Sequence, residues 1–176
     1  TASEPYAIEC IASVLERAGY KVNLVQQRTQ NTSMLIEEIL SYNPDVVGFT
    51  ALTYNFNYSK QIARKIKEKS KKDVITIFGG YHISALPEEV KDDAIDFGVI
   101  GEGEITALEL INTINKNLDL KNVTGICYFD KRKKQVIITR PRERIKNLDE
   151  LPWPKREAKF IEGAHTTQIG YPTPPK

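Results

Sequence analysis

The chain is poor in cysteine, histidine, methionine and tryptophan, with 2, 2, 1 and 1 of each among 176 residues. Cys10 and Cys127 stand far apart, so they build no disulfide framework, and with only His82 and His165 to help they supply no four-ligand zinc site. They read as two buried thiols in a reducing compartment. No apolar run approaches the ~18 residues that a membrane-crossing helix needs, and no basic-then-apolar leader opens the chain. Charge of one sign is also missing: 25 Lys and Arg face 23 Asp and Glu, a formal net charge of +2. That balance leaves no field for a strongly basic nucleic-acid arm or an acidic disordered tail. The expectation is one cytoplasmic globular domain with a short appendage. The chain opens at Thr1 rather than methionine and closes on the proline-rich run Tyr171-Pro172-Thr173-Pro174-Pro175-Lys176. Both ends read as those of a piece of a longer protein.

What is present is a regular alternation. Ile8, Ile11, Leu15 and Ala18 recur at helical spacing, Pro5 suits a first turn and Gly19 supplies a stop. Lys21 to Val25 alternates like a strand, and Leu35, Ile36, Ile39 and Leu40 form a second helical face that Asn43-Pro44-Asp45 ends. Val46-Val47-Gly48-Phe49-Thr50 has the composition of a strand buried on both faces. Tyr58, Ile62 and Ile66 mark a third helix, whose Lys60, Arg64, Lys65, Lys67, Lys69, Lys71 and Lys72 read as a solvated face. Val74 to Phe78 and Ile95 to Ile100 are two further strands, with a short helix expected around Leu86 to Val90; Ile105, Leu108, Ile111 and Ile114 mark the last helix. Strands alternating with helices in this way predict a parallel sheet covered on both faces. Such a domain ordinarily begins with a strand that lies inside the sheet, and here the first element is a helix, so that strand is expected upstream of Thr1. Val123 to Phe129 and Gln135 to Thr139 flank Asp130-Lys131-Arg132-Lys133-Lys134, a hairpin with a basic turn. Arg140, Arg142, Arg144 and Lys146 continue the charge. With no aromatics interleaved, these bases suit a solvated edge or a neighbouring domain better than nucleic acid.

Ligands of open parallel sheets sit beyond the carboxyl ends of the strands, so the segments after Thr50, Phe78 and Ile100 are the ones that carry function. The first contains Ala51, Leu52, Thr53, Tyr54, Asn55, Phe56 and Asn57; the second is Gly79-Gly80-Tyr81-His82; the third is Gly101-Glu102-Gly103-Glu104. The glycines allow close backbone approach to a ligand. The third loop lacks the last glycine of a dinucleotide fingerprint, its glutamates repel a pyrophosphate, and there is no GxxxxGK[ST] run. Glu102 and Glu104 can instead accept hydrogen bonds from sugar hydroxyls or amides, or serve as a solvated turn and a helix cap. His82 reads either as a ligand contact or as a capping histidine, and His165 has nothing to couple with. No Ser-His-Asp or Cys-His arrangement can be drawn, which argues against covalent catalysis within these residues.

The combination of Asp45-Val46-Val47-Gly48-Phe49-Thr50, Phe78-Gly79-Gly80-Tyr81-His82, Gly101-Glu102-Gly103-Glu104 and Leu148-Asp149-Glu150-Leu151-Pro152-Trp153-Pro154 resembles the N-terminal cobalamin-binding domain of cobalamin-dependent radical S-adenosylmethionine enzymes over about residues 5–155. The resemblance implies a flavodoxin-like, Rossmann-like doubly wound sheet over 1–120. A β-hairpin extension would follow over 121–145, then a linker over 146–176 toward a radical S-adenosylmethionine domain of the same chain. It also implies that Thr50, Ala51, Leu52 and Thr53, Gly79 to His82, and Gly101 to Glu104 wrap the corrin and its nucleotide tail. The DxHxxG motif of the mutases maps near Thr1 to Pro5, where no histidine stands, so mutase-type lower ligation is not expected and His82 is expected beside the corrin. S-adenosylmethionine and a 4Fe-4S cluster would belong to the partner domain, with its CxxxCxxC motif. The activity implied is methyl transfer to an unreactive carbon of a small-molecule substrate, or a related ring formation or rearrangement. A flavodoxin-like regulatory or protein-interaction domain, or a binder of another nucleotide-like ligand, is the competing reading.

Overall fold

A computed structural model describes residues 6–27, 31–155 and 159–161. In chain order the elements are α1 (Tyr6–Arg17), β1 (Val25–Gln27), α2 (Thr32–Ser41), β2 (Val46–Thr50), α3 (Phe56–Lys69), β3 (Ile75–Gly79), α4 (Tyr81–Ala85), β4 (Phe97–Val99), α5 (Glu104–Asn115), β5 (Ile126–Asp130), β6 (Gln135–Ile138) and β7 (Lys159–Ile161). A 3-10 turn, Pro87–Lys91, separates α4 from β4. The main sheet runs β2-β3-β4-β5-β6. Its first three strands are parallel, in the register Thr50 to Gly79 and Phe78 to Gly98, and the β5–β6 hairpin joins antiparallel.

Alternation along β3 sends its side chains to two cores. Ile77 meets Val99, Leu110, Val123 and Ile126 on the face covered by α5. Phe78 packs on the other face with Ala51, Phe56, Ala63, Ile83, Val90 and Cys127. Farther along that second face, Leu35 and Ile36 of α2 close over Val47, Ile62, Ile66 and Val74. Phe78 is the hub, stacked on Phe49 at 4.6 Å and edge-on to Phe56 at 5.7 Å. Gly98 has no room for a side chain, because a Cβ there would lie 2.4 Å from the Cys127 sulfur.

Several expectations need correction. Among the described residues β3 is the one strand paired with β2, so β2 lies at an edge of the main sheet, with Gly48 and Thr50 exposed and not buried on both faces. Among the described residues no strand is hydrogen-bonded to both β1 and β2. The strand expected over Lys21 to Val25 begins at Val25 and pairs in parallel with β7. The buried stripes of α1 and α5 are also rotated from those expected. Cys10, Ala12, Val14 and Leu15 are buried on α1, and Thr106, Ala107, Leu110 and Thr113 on α5. The two helices pack on each other at Gly103, where a Cβ would meet Ile11, so each serves two neighbours and not one stripe.

The basic row of α3 is not simply a solvated face. Lys60 bridges Glu89 and Asp92, Arg64 bridges Asp92 and Asp93, and Lys67 reaches Asp96, while Lys72 pairs with Asp45. The pairs of Lys60, Arg64 and Lys67 tie α3 to the turn that carries the chain into β4, whereas Lys72, past the end of α3, reaches back to the residue before β2. Beyond the hairpin the chain is pinned across α5 and α1. Arg142 bonds the Thr106 hydroxyl at 2.8 Å and the Glu109 carboxylate, Arg17 donates to the Glu150 carbonyl, and Lys155 pairs with Glu16. Trp153 projects from this strap 89% exposed. His165, the region of Thr1 to Pro5 and the proline-rich end lie outside the described residues.

Candidate functional site

The three loops singled out by sequence lie side by side at the carboxyl edge of β2, β3 and β4, and hydrogen bonds stitch them into one rim. The Ala51 N–H donates to the Gly79 carbonyl at 3.1 Å, carrying the β2–β3 ladder one step past the strand ends. The Ser84 hydroxyl donates to the Gly80 carbonyl at 2.9 Å and accepts the Gly101 N–H at 3.0 Å, joining the second loop to the third. Asn55 precedes α3 and turns its side-chain carbonyl back to the Leu52 N–H at 2.8 Å, which shapes the first loop. Ser84 lies outside the segments singled out by sequence, and Asn55 stood in the first of them without an assigned role. The available signals were a hydroxyl four residues after Gly80 and an amide just ahead of a helix.

His82 is not on a loop. Residues 81–85 form a helical turn, and this turn carries His82 inward until it is 7% exposed. Its Nδ1 meets the Thr53 hydroxyl at 3.1 Å, and its ring lies over Phe56 with centroids 3.9 Å apart. Its Nε2 is buried with no hydrogen-bond partner. Tyr81, the preceding residue, faces out at 81% exposure, and Tyr54 on the first loop does the same at 84%. Leu52 is also exposed, whereas Ala51 is buried. The outward surface of the first two loops is thus aromatic, aliphatic and hydroxyl-bearing, the mixed character that a large ligand with an apolar ring and polar arms requires.

The second glycine of the pair has a reason within the protein. Gly80 has φ +97°, and a Cβ there would lie 2.9 Å from the Ala51 carbonyl oxygen and 3.2 Å from the Thr50 hydroxyl. The absence of a side chain lets the second loop close on the first. Gly101 differs: its φ is +78° and no protein atom lies within 4 Å of the position a Cβ would take. The backbone there is bare to the outside, as close approach by a ligand requires.

The two glutamates have separate surroundings. Glu102 accepts the Ile145 N–H at 2.7 Å through one carboxylate oxygen, so this exposed residue holds the strap. Glu104 is the first helical residue of α5, and Gly103 occupies the cap position. Its Oε2 is buried and unpartnered, facing neither a solvated turn nor a capping bond. It adds to the negative surroundings of Cys10, whose thiol burial, in the main, holds above its usual value. Burial pushes the Cys127 thiol up to about 12. Both thiols are buried and unpaired with each other, as the sequence suggested. No group of three or more metal-ligating side chains occurs among the described residues, and no helix among them is long and apolar enough to cross a membrane.

A mostly parallel sheet with a stitched rim of glycine-bearing loops at its carboxyl edge defines a ligand-binding domain of the doubly wound class. The family model for the B12 binding domain matches residues 2–111, and the chain belongs to that family. Among curated relatives, it is 30% identical over 158 residues to an uncharacterised methyltransferase of Pyrococcus horikoshii, covering 88% of this chain and 34% of that protein. It is 31% identical over 158 residues to the anaerobic magnesium-protoporphyrin IX monomethyl ester cyclase of Rubrivivax gelatinosus, covering 84% of this chain and 28% of that one. Among solved structures, it superposes on the radical S-adenosylmethionine methyltransferase TsrM of Kitasatospora setae, determined with cobalamin and a [4Fe-4S] cluster bound. The TM-score is 0.69 at 20% identity, over 87% of this chain and 29% of that one. The chain therefore spans about a third or less of the length of these proteins, and the last likeness shows the fold.

Proposed function

We propose that this chain holds cobalamin across the rim formed after β2, β3 and β4, as the cobalamin domain of a cytoplasmic radical S-adenosylmethionine enzyme that methylates an unreactive carbon of a small molecule. The observation that carries the reading is the rim itself, three loops fixed to one another by Ala51, Ser84 and Thr53, with bare backbone at Gly101 and exposed Leu52, Tyr54 and Tyr81. These residues fit the group, because an apolar macrocycle with amide arms needs a broad surface of mixed polarity and few charges. Thr50, Leu52, Thr53, Gly79, Gly80 and Tyr81 would hold one part of it, and Gly101 and Glu102 another. Ala51, His82, Gly103 and Glu104 act from behind this surface.

When bound, cobalamin would supply a cobalt centre able to take up a methyl group from a donor and pass it on, chemistry no side chain offers. The protein's part is to bind, to orient and to exclude water. Glu102 has one carboxylate oxygen engaged by Ile145 and so offers the other to an amide or hydroxyl in a fixed direction. The 146–176 segment would lead to the partner domain, which would hold S-adenosylmethionine and the 4Fe-4S cluster.

Full chain incubated with hydroxocobalamin and then desalted is expected to retain corrin absorption in the ultraviolet–visible spectrum at about one equivalent. Loss of all corrin bands on desalting would sink the reading and favour a regulatory or protein-interaction role for the same rim.

A further inference from the structure

His82 is the one side chain of the proposed site that is both buried and polar on two sides, and its contacts reach the outer surface through a single atom. Nδ1 is engaged by the Thr53 hydroxyl at 3.1 Å. The ring is pressed on Phe56, itself buried against Phe78. The His82 N–H points to the Ala51 carbonyl at 3.5 Å, the same oxygen that Gly80 packs against. His82 therefore holds the first loop at Ala51 and Thr53 and the start of α3 at Phe56. On the loop, Thr53 is exposed and stands between exposed Leu52 and Tyr54. A histidine serving as a metal ligand presents one ring nitrogen to the metal and fixes its orientation through the other. Here the fixed nitrogen is Nδ1, but Nε2 is enclosed by the protein.

We infer that His82 is a positioning residue. It acts on the ligand through Thr53, setting the first loop so that Leu52, Thr53 and Tyr54 meet the corrin together, and it does not coordinate cobalt. This inference rests on the cobalamin reading above and names how part of that site is held. The alternative conformations of a loop with three exposed side chains are numerous, and holding one of them in advance removes an ordering cost from binding.

The test uses the full chain with Thr53→Val, His82→Phe, the double variant and His82→Asn. Valine keeps the shape of threonine, phenylalanine keeps the ring on Phe56, and asparagine can place a polar atom where Nδ1 stands. Thr53→Val and His82→Phe are each expected to weaken hydroxocobalamin affinity about fivefold, the size of one lost hydrogen bond. The double variant is expected to be no weaker than the worse single, since both remove the same bond, and His82→Asn is expected to restore most of the loss. The absorption spectrum of the bound corrin is expected to be identical in wild type and His82→Phe, which a merely structural account does not address. Amide exchange at Leu52 to Asn55, measured without ligand, is expected to quicken in both singles. A spectral change in His82→Phe that reports loss of an imidazole from cobalt would overturn the inference. So would unchanged affinity in both singles, or additive losses in the double. Failure of the wild type to retain cobalamin overturns the functional reading itself and is distinguished by its occurring before any variant is compared.

Discussion

Replacing Gly80 by alanine tests whether the glycine pair exists for the protein's own packing. Two costs add. With φ +97° and ψ −173°, Gly80 occupies a region of backbone space that residues bearing a Cβ hardly enter, worth about 1–3 kcal/mol. The new methyl would also stand 2.9 Å from the Ala51 carbonyl oxygen and 3.2 Å from both the Ala51 nitrogen and the Thr50 hydroxyl. Most of these atoms are backbone, and the Ala51 N–H is committed to Gly79, so the loop has to shift as a unit at a further cost of about 1–3 kcal/mol. The sum, about 4 kcal/mol, is a large share of a domain's stability of about 5–15 kcal/mol. At about 2–4 °C per kcal/mol for a domain of this size, it lowers Tm by roughly 8–16 °C. Gly19→Ala and Gly101→Ala are the controls. Both positions have positive φ, +91° and +78°, but open space around the added methyl, so each loses only the conformational part, about 1–2 kcal/mol. The entropy that alanine removes from the unfolded chain is common to all three and cancels in the comparison. Thermal and urea unfolding of the three variants decide the matter. If Gly80→Ala loses no more stability than Gly101→Ala, the packing of the second loop on the first is not what the glycine is for.

Asp92 and Lys60 set the pH limits of the α3 contact. Burial alone would raise the Asp92 carboxyl, but the Ala94 N–H, Lys60 and Arg64 together hold it below its usual value. Burial would lower the Lys60 ammonium, but Glu89 and Asp92 raise it. The Asp92 contribution is therefore present above the ordinary aspartate range and is lost as pH falls through its lowered value. That of Lys60 is present at neutral pH and is lost as pH rises through its raised value. Asp92→Asn should cost about 2–3 kcal/mol in urea unfolding at pH 7, and the gap to wild type should shrink toward pH 3; a constant gap across that window would contradict the assignment. Cys127, fully buried with its thiol pushed up to about 12, should resist Ellman's reagent at pH 8 until the chain is unfolded in urea, when both thiols react. Prompt labelling of Cys127 in native protein would show that the β4–β5 core opens on the timescale of the assay.

Much of this architecture was legible because its signals are local. The apolar run of Val46 to Thr50, the α3 stripe through Ile62 and Ile66 and the hairpin around Asp130 each depend on a few neighbours in sequence; the first appears with its expected bounds, and the hairpin appears with its first strand beginning at Ile126 and not at Val123. What sequence misassigned depends on partners distant along the chain. The α3 lysines looked solvated because Glu89, Asp92 and Asp96 lie about 29 residues away from the bases they neutralise, in an acidic stretch that reads on its own as an ordinary turn. Rotation of the α5 stripe arises the same way, since α1 and Arg142 claim a side of the helix that periodicity assigns to water.

The same division runs through the site. The three loops were found by a topological rule, that ligands gather where parallel strands end, and the rule needs only strand order. The roles inside the loops follow from contacts between them. Gly80, read with Gly79 as room for a ligand, is first of all room for Ala51, whereas Gly101 keeps the open space that the rule assigned to these loops. His82 and Tyr81, adjacent in sequence, end on opposite sides of the rim because a helical turn replaces the expected loop. Turning by about 100° per residue, it sends one side chain to Phe56 and leaves its neighbour outside. A histidine beside a glycine pair is thus not evidence of a ligand contact until the local backbone is known. Here that backbone makes Tyr81 the residue that can touch a ligand and His82 the residue that decides where Thr53 stands.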